Sequence, residues 1–559
     1  MQNKELAQAF QLINKLLDLY GENQFKSKSY SNAAFRIGRM ELQLKDVPYD
    51  EIDKVDGIGK SIAAKVVELL ETGEIEYLNE LVSKTPPGVL DMLSIKGVGP
   101  KKIGVIWREL GIESMGELLY ACNENRLVDL KGFGSKTQEQ IKKIIEYKIS
   151  NQGLFHYAAV EQIAEGYLIS VSELPGIEQA ALTGAIRRKN QLIAAVEILA
   201  AVESGRHAEV VASLGNDGFE LEDERLVKST DAGLRLEIIL CEEHEFVGQH
   251  FLTTATEAHL EYLNLDNIDE ATSEEEVYEA SELPYIVPEM REGLQEFEWA
   301  KNHSDEELVE NEHLKGILHN HSTWSDGRHS LEEMATHCRD LGYEYLGICD
   351  HSKSAFYANG LQVERVAQQQ REIDALNQQL APFVIYKGIE SDILNNGSLD
   401  YETEVLESFD FIVASVHSNL KMPEEKATQR LLTAIENPFT TILGHPTGRL
   451  LLSREGYPID HKKVIRACAA NNVVIELNAN PFRLDLDWRW IHFAMEQGVK
   501  IAINPDAHNK EGYQHMHFGV CVARKGGLTT DMTFNALSRE EIGLYFTERK
   551  SNIGASLRS

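Results

Sequence analysis

The chain has 559 residues, of which 43% are hydrophobic and 26% charged, and it carries a net charge of −34. That balance excludes a collagenous, low-complexity or wholly disordered protein, and at roughly 100–200 residues per domain it predicts three to five domains. No run of about 18 apolar residues occurs, which excludes a membrane-spanning helix, and the start MQNKELAQAF lacks the basic-then-apolar pattern of a signal peptide. Six scattered cysteines without CxxC spacing fit reduced thiols and a cytoplasmic location.

The negative charge is unevenly spread. Residues 1–150 carry 21 basic and 22 acidic side chains, whereas residues 201–314 carry 6 and 31. The N-terminal part is therefore free to present a basic face to nucleic acid, and the acidic middle reads as solvated surface.

Residues 4–45 read as helical, with Leu6, Phe10, Ile13, Leu16, Leu17, Ala33, Ala34 and Ile37 at 3–4 spacing. Lys26, Lys28, Arg36 and Arg39 lie there among Phe25, Tyr30 and Phe35. A short repeat follows three times: Val55-Asp56-Gly57-Ile58-Gly59-Lys60, Ile95-Lys96-Gly97-Val98-Gly99-Pro100 and Leu130-Lys131-Gly132-Phe133-Gly134-Ser135. Each copy sits between amphipathic helical stretches and resembles the helix-hairpin-helix motif. Its glycines permit a tight turn and a close approach to a phosphate, and the amides opening the second helix face the phosphate oxygens. Lys60, Lys101, Lys102 and Lys136 stand just beyond the turns. Such contacts grip the DNA backbone without reading sequence.

Residues 151–312 are mixed. Leu192–Ile198, Glu209–Ala212 and Leu234–Leu240 read as strands, and the acidic stretch from Thr272 to Ala300 reads as helix broken by Leu283-Pro284 and Val287-Pro288. From Lys315 onward strands alternate with helices. The strand candidates are Gly316–Leu318, Tyr345–Cys349, Phe383–Lys387, Phe411–Ser415, Thr440–Leu443, Val473–Leu477 and Lys500–Ile503. Seven strands in this rhythm predict a parallel α/β domain, a barrel.

Six of the seven strands end in a histidine or a carboxylate. His319 and His321 follow Leu318, with Asp326 just after them; Asp350-His351 follow Cys349; Glu390 follows Lys387. His417, His445, and Asp506 with His508 come after the fourth, fifth and seventh strands. In βα barrels these ends carry the active site, so residues far apart in sequence converge there. His319 and His321 are two apart and share one face of their strand. Six imidazoles and three carboxylates exceed what one ion needs, and mixed N/O ligation suits two or three Zn²⁺, Mn²⁺ or Fe²⁺ ions. Such a site makes water nucleophilic and neutralises charge on a phosphoryl oxygen. Arg449, four residues beyond His445, is a candidate phosphate clamp.

The order HxH, D, DH, E, H, H, DxH resembles the PHP (polymerase and histidinol phosphatase) domain, a distorted seven-stranded barrel with three metal ions and phosphoesterase activity. With the N-terminal repeats, nearly the whole chain resembles a bacterial family X DNA polymerase carrying a C-terminal PHP domain. Gly21-Glu22-Asn23-Gln24-Phe25-Lys26, Glu276-Val277-Tyr278 and Leu283 to Glu289 match further landmarks of that family.

The palm departs from the family pattern. A Gly-Ser-x-Arg-Arg motif appears as Gly184-Ala185-Ile186-Arg187-Arg188. The three metal-binding aspartates fall on Ala195, Glu197 and Glu237, and a Thr-Gly-Ser turn appears as Thr253-Thr254-Ala255-Thr256. Ala195 offers no oxygen, and the glutamates shift theirs by a methylene. The expectation is a folded palm that no longer polymerises and holds no Mg²⁺, with its two glutamates solvated or paired.

The resemblance implies four segments: residues 1–80, helical and DNA-binding with the first hairpin; 81–150, the further hairpins; 151–312, a degenerate palm and thumb of α+β nucleotidyltransferase type; and 315–559, the distorted (βα)7 PHP barrel. It implies a 3′→5′ exonuclease on DNA, with abasic-site cleavage or 3′-end cleaning as related activities. A small-molecule phosphatase, a still-active polymerase and a non-enzymatic DNA-end scaffold remain alternatives at this point.

Overall fold

The structure, a computed structural model, describes residues 2–40, 42–95, 97–128, 130–150 and 153–556. Lys96 of the second repeat lies outside them. The chain forms two compact units, residues 1–146 and 147–559.

The first unit is helical. In α1 (Asn3–Tyr20) the 3–4 spacing buries Leu6, Phe10, Ile13, Leu16 and Leu17 completely. α2 (Gln24–Ile37) starts where the Asn23 side chain accepts a hydrogen bond from the Phe25 N–H, and Tyr30 stacks on Phe10 of α1 with ring centroids 6.0 Å apart. The three glycine repeats fold alike. Their first glycines, Gly57, Gly97 and Gly132, have φ of +82°, +87° and +89°, a region that L side chains rarely adopt. Their second glycines, Gly59, Gly99 and Gly134, stand immediately before α3 (Lys60–Thr72), α4 (Pro100–Leu110) and α5 (Ser135–Ser150). Ile58 and Val98, between the glycines of the first two copies, are buried and pin the turns to the core.

The second unit begins with α6 (Tyr157–Ser172), which packs on a five-stranded sheet: β1 (Ile177–Thr183), β2 (Ala195–Val202), β3 (Glu220–Glu222), β4 (Arg225–Ser229) and β5 (Arg235–Glu242), in the order β1-β2-β5-β4-β3. β2 and β5 are parallel and the other neighbours antiparallel. Residues 209–212, expected as a strand, lie instead in α7 (His207–Asn216). Val210 and Leu214 are four apart and both buried on one helical face. The stretch from Thr272 to Ala300 is also less helical than expected. It holds only Glu274–Glu279, a 3-10 turn at Pro288–Met290 and Glu296–Trp299, folded around Tyr278, Trp299 and the fully buried Arg291.

The barrel follows: β6 (Gly316–Ile317), β7 (Tyr345–Ile348), β8 (Val384–Lys387), β9 (Glu390–Asp392), β10 (Val413–Ser415), β11 (Ile442–Leu443), β12 (Val474–Asn478) and β13 (Ile501–Asn504). All pairings are parallel: β6, β7 and β8 form one sheet, and β9 through β13 another. β8 and β9 are one stave that changes partner at Gly388. There a Cβ would stand 2.5 Å from the Phe411 ring and 2.6 Å from the Ile348 carbonyl oxygen, so no side chain fits. Bridges Asn320–Ala507 and His351–Glu390 join the two sheets. The result is a closed, distorted barrel of seven staves.

Palm and barrel are tightly joined within this unit. Trp299 donates its indole N–H to the Gly527 carbonyl at 2.8 Å. α8 (Met516–Lys525) sends His517 to Glu161 at 2.8 Å and Arg524 to Glu289 at 2.6 Å. The buried Lys525 ammonium donates to the carbonyls of Arg188 and Glu289, each at 3.1 Å, and pairs with Glu292. Burial lowers its pKa to about 8 in spite of that carboxylate. Among the described residues no helix is long and apolar enough to cross a membrane.

Candidate functional site

All nine candidate ligands lie together at the carboxyl end of the barrel, and most are fully buried. Glu390, at the start of β9, is their hub. Its Oε1 is 3.0 Å from His445 Nε2, 3.1 Å from His417 Nε2 and 3.3 Å from His319 Nε2. Its Oε2 is 2.8 Å from His351 Nδ1 and 3.7 Å from His321 Nε2. Asp506 Oδ1 is 3.0 Å from His321 Nε2, and Asp326 Oδ1 is 3.4 Å from His508 Nε2 and 3.6 Å from His351 Nε2. Ligand atoms group within 4.8 Å of one another in three overlapping sets: His321, Asp326, His351 and His508; His319, His321 and Asp506; and His351, Glu390 and His417. His445 belongs to none of these sets and reaches the cluster through Glu390.

The backbone is bent to make this convergence. His445 has φ of +22° and Asp506 +51°, conformations unfavourable for side-chain-bearing residues and held by their surroundings. The His445 N–H donates to Glu476 Oε2 at 2.8 Å, and the Asp506 N–H donates to the His319 carbonyl at 3.1 Å.

Supporting carboxylates orient the imidazoles. Glu476 accepts from His319 Nδ1 at 2.7 Å and Asp392 from His417 Nδ1 at 2.6 Å, which turns both Nε2 atoms toward Glu390. Asp350 holds the loop bearing Asp326: it accepts from the N–H of Ser322 and of Ser325 at 2.8 and 3.0 Å, and from Gln369 at 2.6 Å. Glu476 and Asp392 were not singled out from sequence. Glu476 had a visible signal, a carboxylate inside the apolar strand Val473-Val474-Ile475-Glu476-Leu477. Glu476→Gln should weaken metal binding about 10- to 100-fold, measured by competition with a chelating dye, because the amide holds His319 less firmly.

The donor set fits transition-metal ions. His319 Nε2, His351 Nε2 and Glu390 Oε2 are buried without a hydrogen bond. Burial opposes ionisation of Glu390 and Asp506, but the surrounding histidines hold both carboxyls well below their usual range. Burial likewise opposes protonation of His417, yet Glu390 and Asp392 raise it to about 9. The cluster thus draws positive charge, which a divalent ion supplies while releasing protons. Cys349 is buried nearby, but its thiol donates to the Leu318 carbonyl and it belongs to none of the three donor sets.

Arg449 does not join the cluster. Its guanidinium pairs with Asp487 and donates to the carbonyls of Arg483 and Leu484. Those donors are already engaged, so the expected phosphate clamp gives way to a loop-fixing role. Another arginine, Arg483, lies 3.7 Å from Asp506 and is buried.

In the palm, Glu197 and Glu237 sit side by side on β2 and β5, with Ala195 opposite Arg235. Arg225 Nη1 bridges the two glutamates at 3.0 and 2.5 Å, and Arg235 Nε holds Glu237 at 2.6 Å. A guanidinium occupies the place between the carboxylates. Arg187 is engaged in the same way, bidentate to Glu274 at 2.7 and 3.0 Å, and Arg188 pairs with Glu292 at 2.9 Å.

In the first unit, Lys28, Lys60, Lys101 and Lys136 are exposed, and Lys26 is held by the Tyr77 hydroxyl at 2.5 Å. A Cβ added at Gly59, Gly99 or Gly134 would meet open space, leaving room for a phosphate at each helix start. Gly99→Val should therefore leave folding intact and weaken DNA binding about equally on all sequences, with affinity falling as salt rises. Gly97→Val should add a stability cost of about 1–2 kcal/mol because of its positive φ. Thermal unfolding and titrations on two unrelated duplexes separate these effects, and altered base preference would refute a backbone grip.

Comparison with known proteins agrees with this layout. Residues 1–75 match the Helix-hairpin-helix domain, 89–146 the SAM-like Helix-hairpin-helix tandem and 318–480 the PHP domain. A probable phosphatase of Thermoanaerobacter sp. (strain X514) is 28% identical over 39% of this chain and 95% of its own length. A probable phosphatase of Acetivibrio thermocellus is 31% identical over 34% of this chain and 78% of its own. The DNA polymerase/3′-5′ exonuclease PolX of Bacillus subtilis (strain 168) is 34% identical over 97% of this chain and 99% of its own. That match runs through the palm as well as through the hairpins and the barrel, and by it the chain belongs to the PolX family.

Proposed function

We propose that this chain is a metal-dependent 3′→5′ exonuclease on DNA whose hydrolytic centre is the barrel cluster and whose palm no longer transfers nucleotides. The observation that carries the reading is the meeting of eight imidazole and carboxylate side chains at one barrel end, with His445 joined to them through Glu390, in a chain that also carries three helix-hairpin-helix turns. His319, His321, Asp326, His351, Glu390, His417, His445, Asp506 and His508 would hold two or three ions of Mn²⁺, Zn²⁺ or Fe²⁺. When bound, such ions supply a nucleophilic water at neutral pH and neutralise charge on the phosphoryl oxygens. The protein's own contribution is to hold these donors in fixed orientation through Glu476 and Asp392, in a buried site where electrostatic effects are strong. The hairpins at Gly57–Lys60, Gly97–Lys101 and Gly132–Lys136, with Lys26 and Lys28, would grip the strand backbone. The proposed segments are 1–80, 81–150, 151–312 and 315–559. All six cysteines are free thiols, as a reducing compartment keeps them, and the proposed place of action is the cytoplasm.

A second reading, hydrolysis of a small phosphate ester, is favoured by the probable phosphatases that align with the barrel. The DNA-binding type of the N-terminal unit weighs against it. Incubation with Mn²⁺ and a 5′-labelled primer-template, without nucleotides, decides: stepwise shortening from the 3′ end is expected. An intact primer together with rapid hydrolysis of a phosphomonoester would favour the second reading.

A further inference from the structure

Between two ligand-bearing strand ends, residues 352–361 form a tight loop. Its base is closed by a bridge between Ser352 and Leu361, and the Leu361 N–H donates to the His351 carbonyl at 2.8 Å. Ser354 donates its hydroxyl to Asp392 at 2.7 Å, the carboxylate that also orients His417. The Ser354 N–H reaches Asp400 at 2.6 Å. Ala355 and Ala358 are buried. Phe356 lies between them and is 83% exposed, more than any other large hydrophobic side chain among the described residues of this unit. The ring of Tyr357, next to it, has its centroid 6.0 Å from that of His351.

This arrangement inverts what folding favours. The small side chains are inside, and a phenyl ring is held in water on a fixed loop beside the metal-ligand cluster. Loop order is already supplied by the bridge and by Asp392 and Asp400, so a ligand that uses the ring incurs little ordering cost. The ligand that the cluster would take is a phosphodiester, and each phosphate in a strand has a base one sugar away. A base stacks on an aromatic ring regardless of its identity, because every base has a π-face.

We propose that Phe356 is a platform on which the base of the 3′-terminal nucleotide stacks while its phosphodiester lies at the cluster. This rests on the exonuclease reading above. It makes Phe356 a specificity-determining residue, favouring termini whose last base is free to leave its partner, since a paired base must first be unstacked.

The test compares two labelled strands that differ only at the 3′ end, one closing with an ordinary nucleotide and one with a base-free tetrahydrofuran residue. Wild-type enzyme with Mn²⁺ should prefer the base-bearing end by about tenfold in kcat/KM, within the range of one base on one ring. Phe356→Ala and Phe356→Leu should abolish that preference, and Phe356→Trp should keep it. In parallel, a 3′-terminal 2-aminopurine on a phosphorothioate linkage should be quenched on binding to wild type and to Phe356→Trp, but not to Phe356→Ala. Thermal unfolding confirms that the variants fold, as expected for so exposed a ring. Equal preference and equal quenching in wild type and Phe356→Ala would overturn the platform and leave the exonuclease standing. Failure of wild type to shorten either strand would overturn both.

Discussion

Replacing His319 and His321 together by alanine should abolish DNA hydrolysis, with a loss on the order of 10³-fold or more. His321 belongs to two of the three donor sets and His319 to one of them, so the pair of changes strips donors from two sets at once. Metal activation is worth several kcal/mol of barrier, and each 1.36 kcal/mol is tenfold in rate. Two measurements are needed. Metal per chain, by mass spectrometry of purified protein, should fall in step with the rate. Binding to duplex DNA should persist, since the hairpin glycines are untouched. Full nuclease activity in the double variant would remove the barrel cluster from the chemistry.

The second large effect is an absence that restoring carboxylates alone should not repair. A His417→Ala, Asp506→Ala chain, with its exonuclease disabled, should add no nucleotide to a primer-template in Mg²⁺ or Mn²⁺. Ala195 supplies no oxygen, and the Glu197 and Glu237 carboxylates are neutralised by Arg225 and Arg235. Introducing Ala195→Asp, Glu197→Asp and Glu237→Asp into that background should still give no extension, because Arg225 remains between the strands. Adding Arg225→Thr should open the palm site to a metal cation, read as a gain in Tb³⁺ luminescence over the three-aspartate chain. Template-dependent extension by the His417→Ala, Asp506→Ala chain, lost again on Glu197→Ala, would show instead that the glutamates hold metal and that the palm is active.

The convergence of the candidate ligands was legible because they follow strand ends, and strand ends are marked by where apolar runs stop. His319, His321, His351, His417 and His445 each stand just past such a run. Glu390 was legible as a candidate ligand but not as the start of its own strand, since the partner switch at Gly388 depends on Phe411 and Ile348 filling the space of a side chain. Arg225 was invisible as the counter-ion of the palm. Nothing local in Glu224-Arg225-Leu226 says that it faces Glu197, 28 residues away; only the strand order β2-β5-β4 brings them together. Arg449 failed in the same way, because the competing partner, Asp487, is 38 residues distant. Long-range ion pairs carry no periodicity and so leave no trace in a sequence window.

The joint between palm and barrel bears on how such a chain can evolve. On the proposed reading the palm has no catalytic work of its own, and hydrolysis would need only the barrel. Here Trp299 is seated on Gly527, and Lys525 is buried against carbonyls of Arg188 and Glu289. Cutting the gene down to the barrel would strand that ammonium without its acceptors and open an apolar socket to solvent. On the proposed reading, the palm would be kept for the barrel that it supports rather than for any reaction of its own. On that reading Ala185, Ala195 and Thr253 to Thr256 can depart from the family pattern while the sheet beside them, with β2 paired to β5 along its whole length, stays intact as a support.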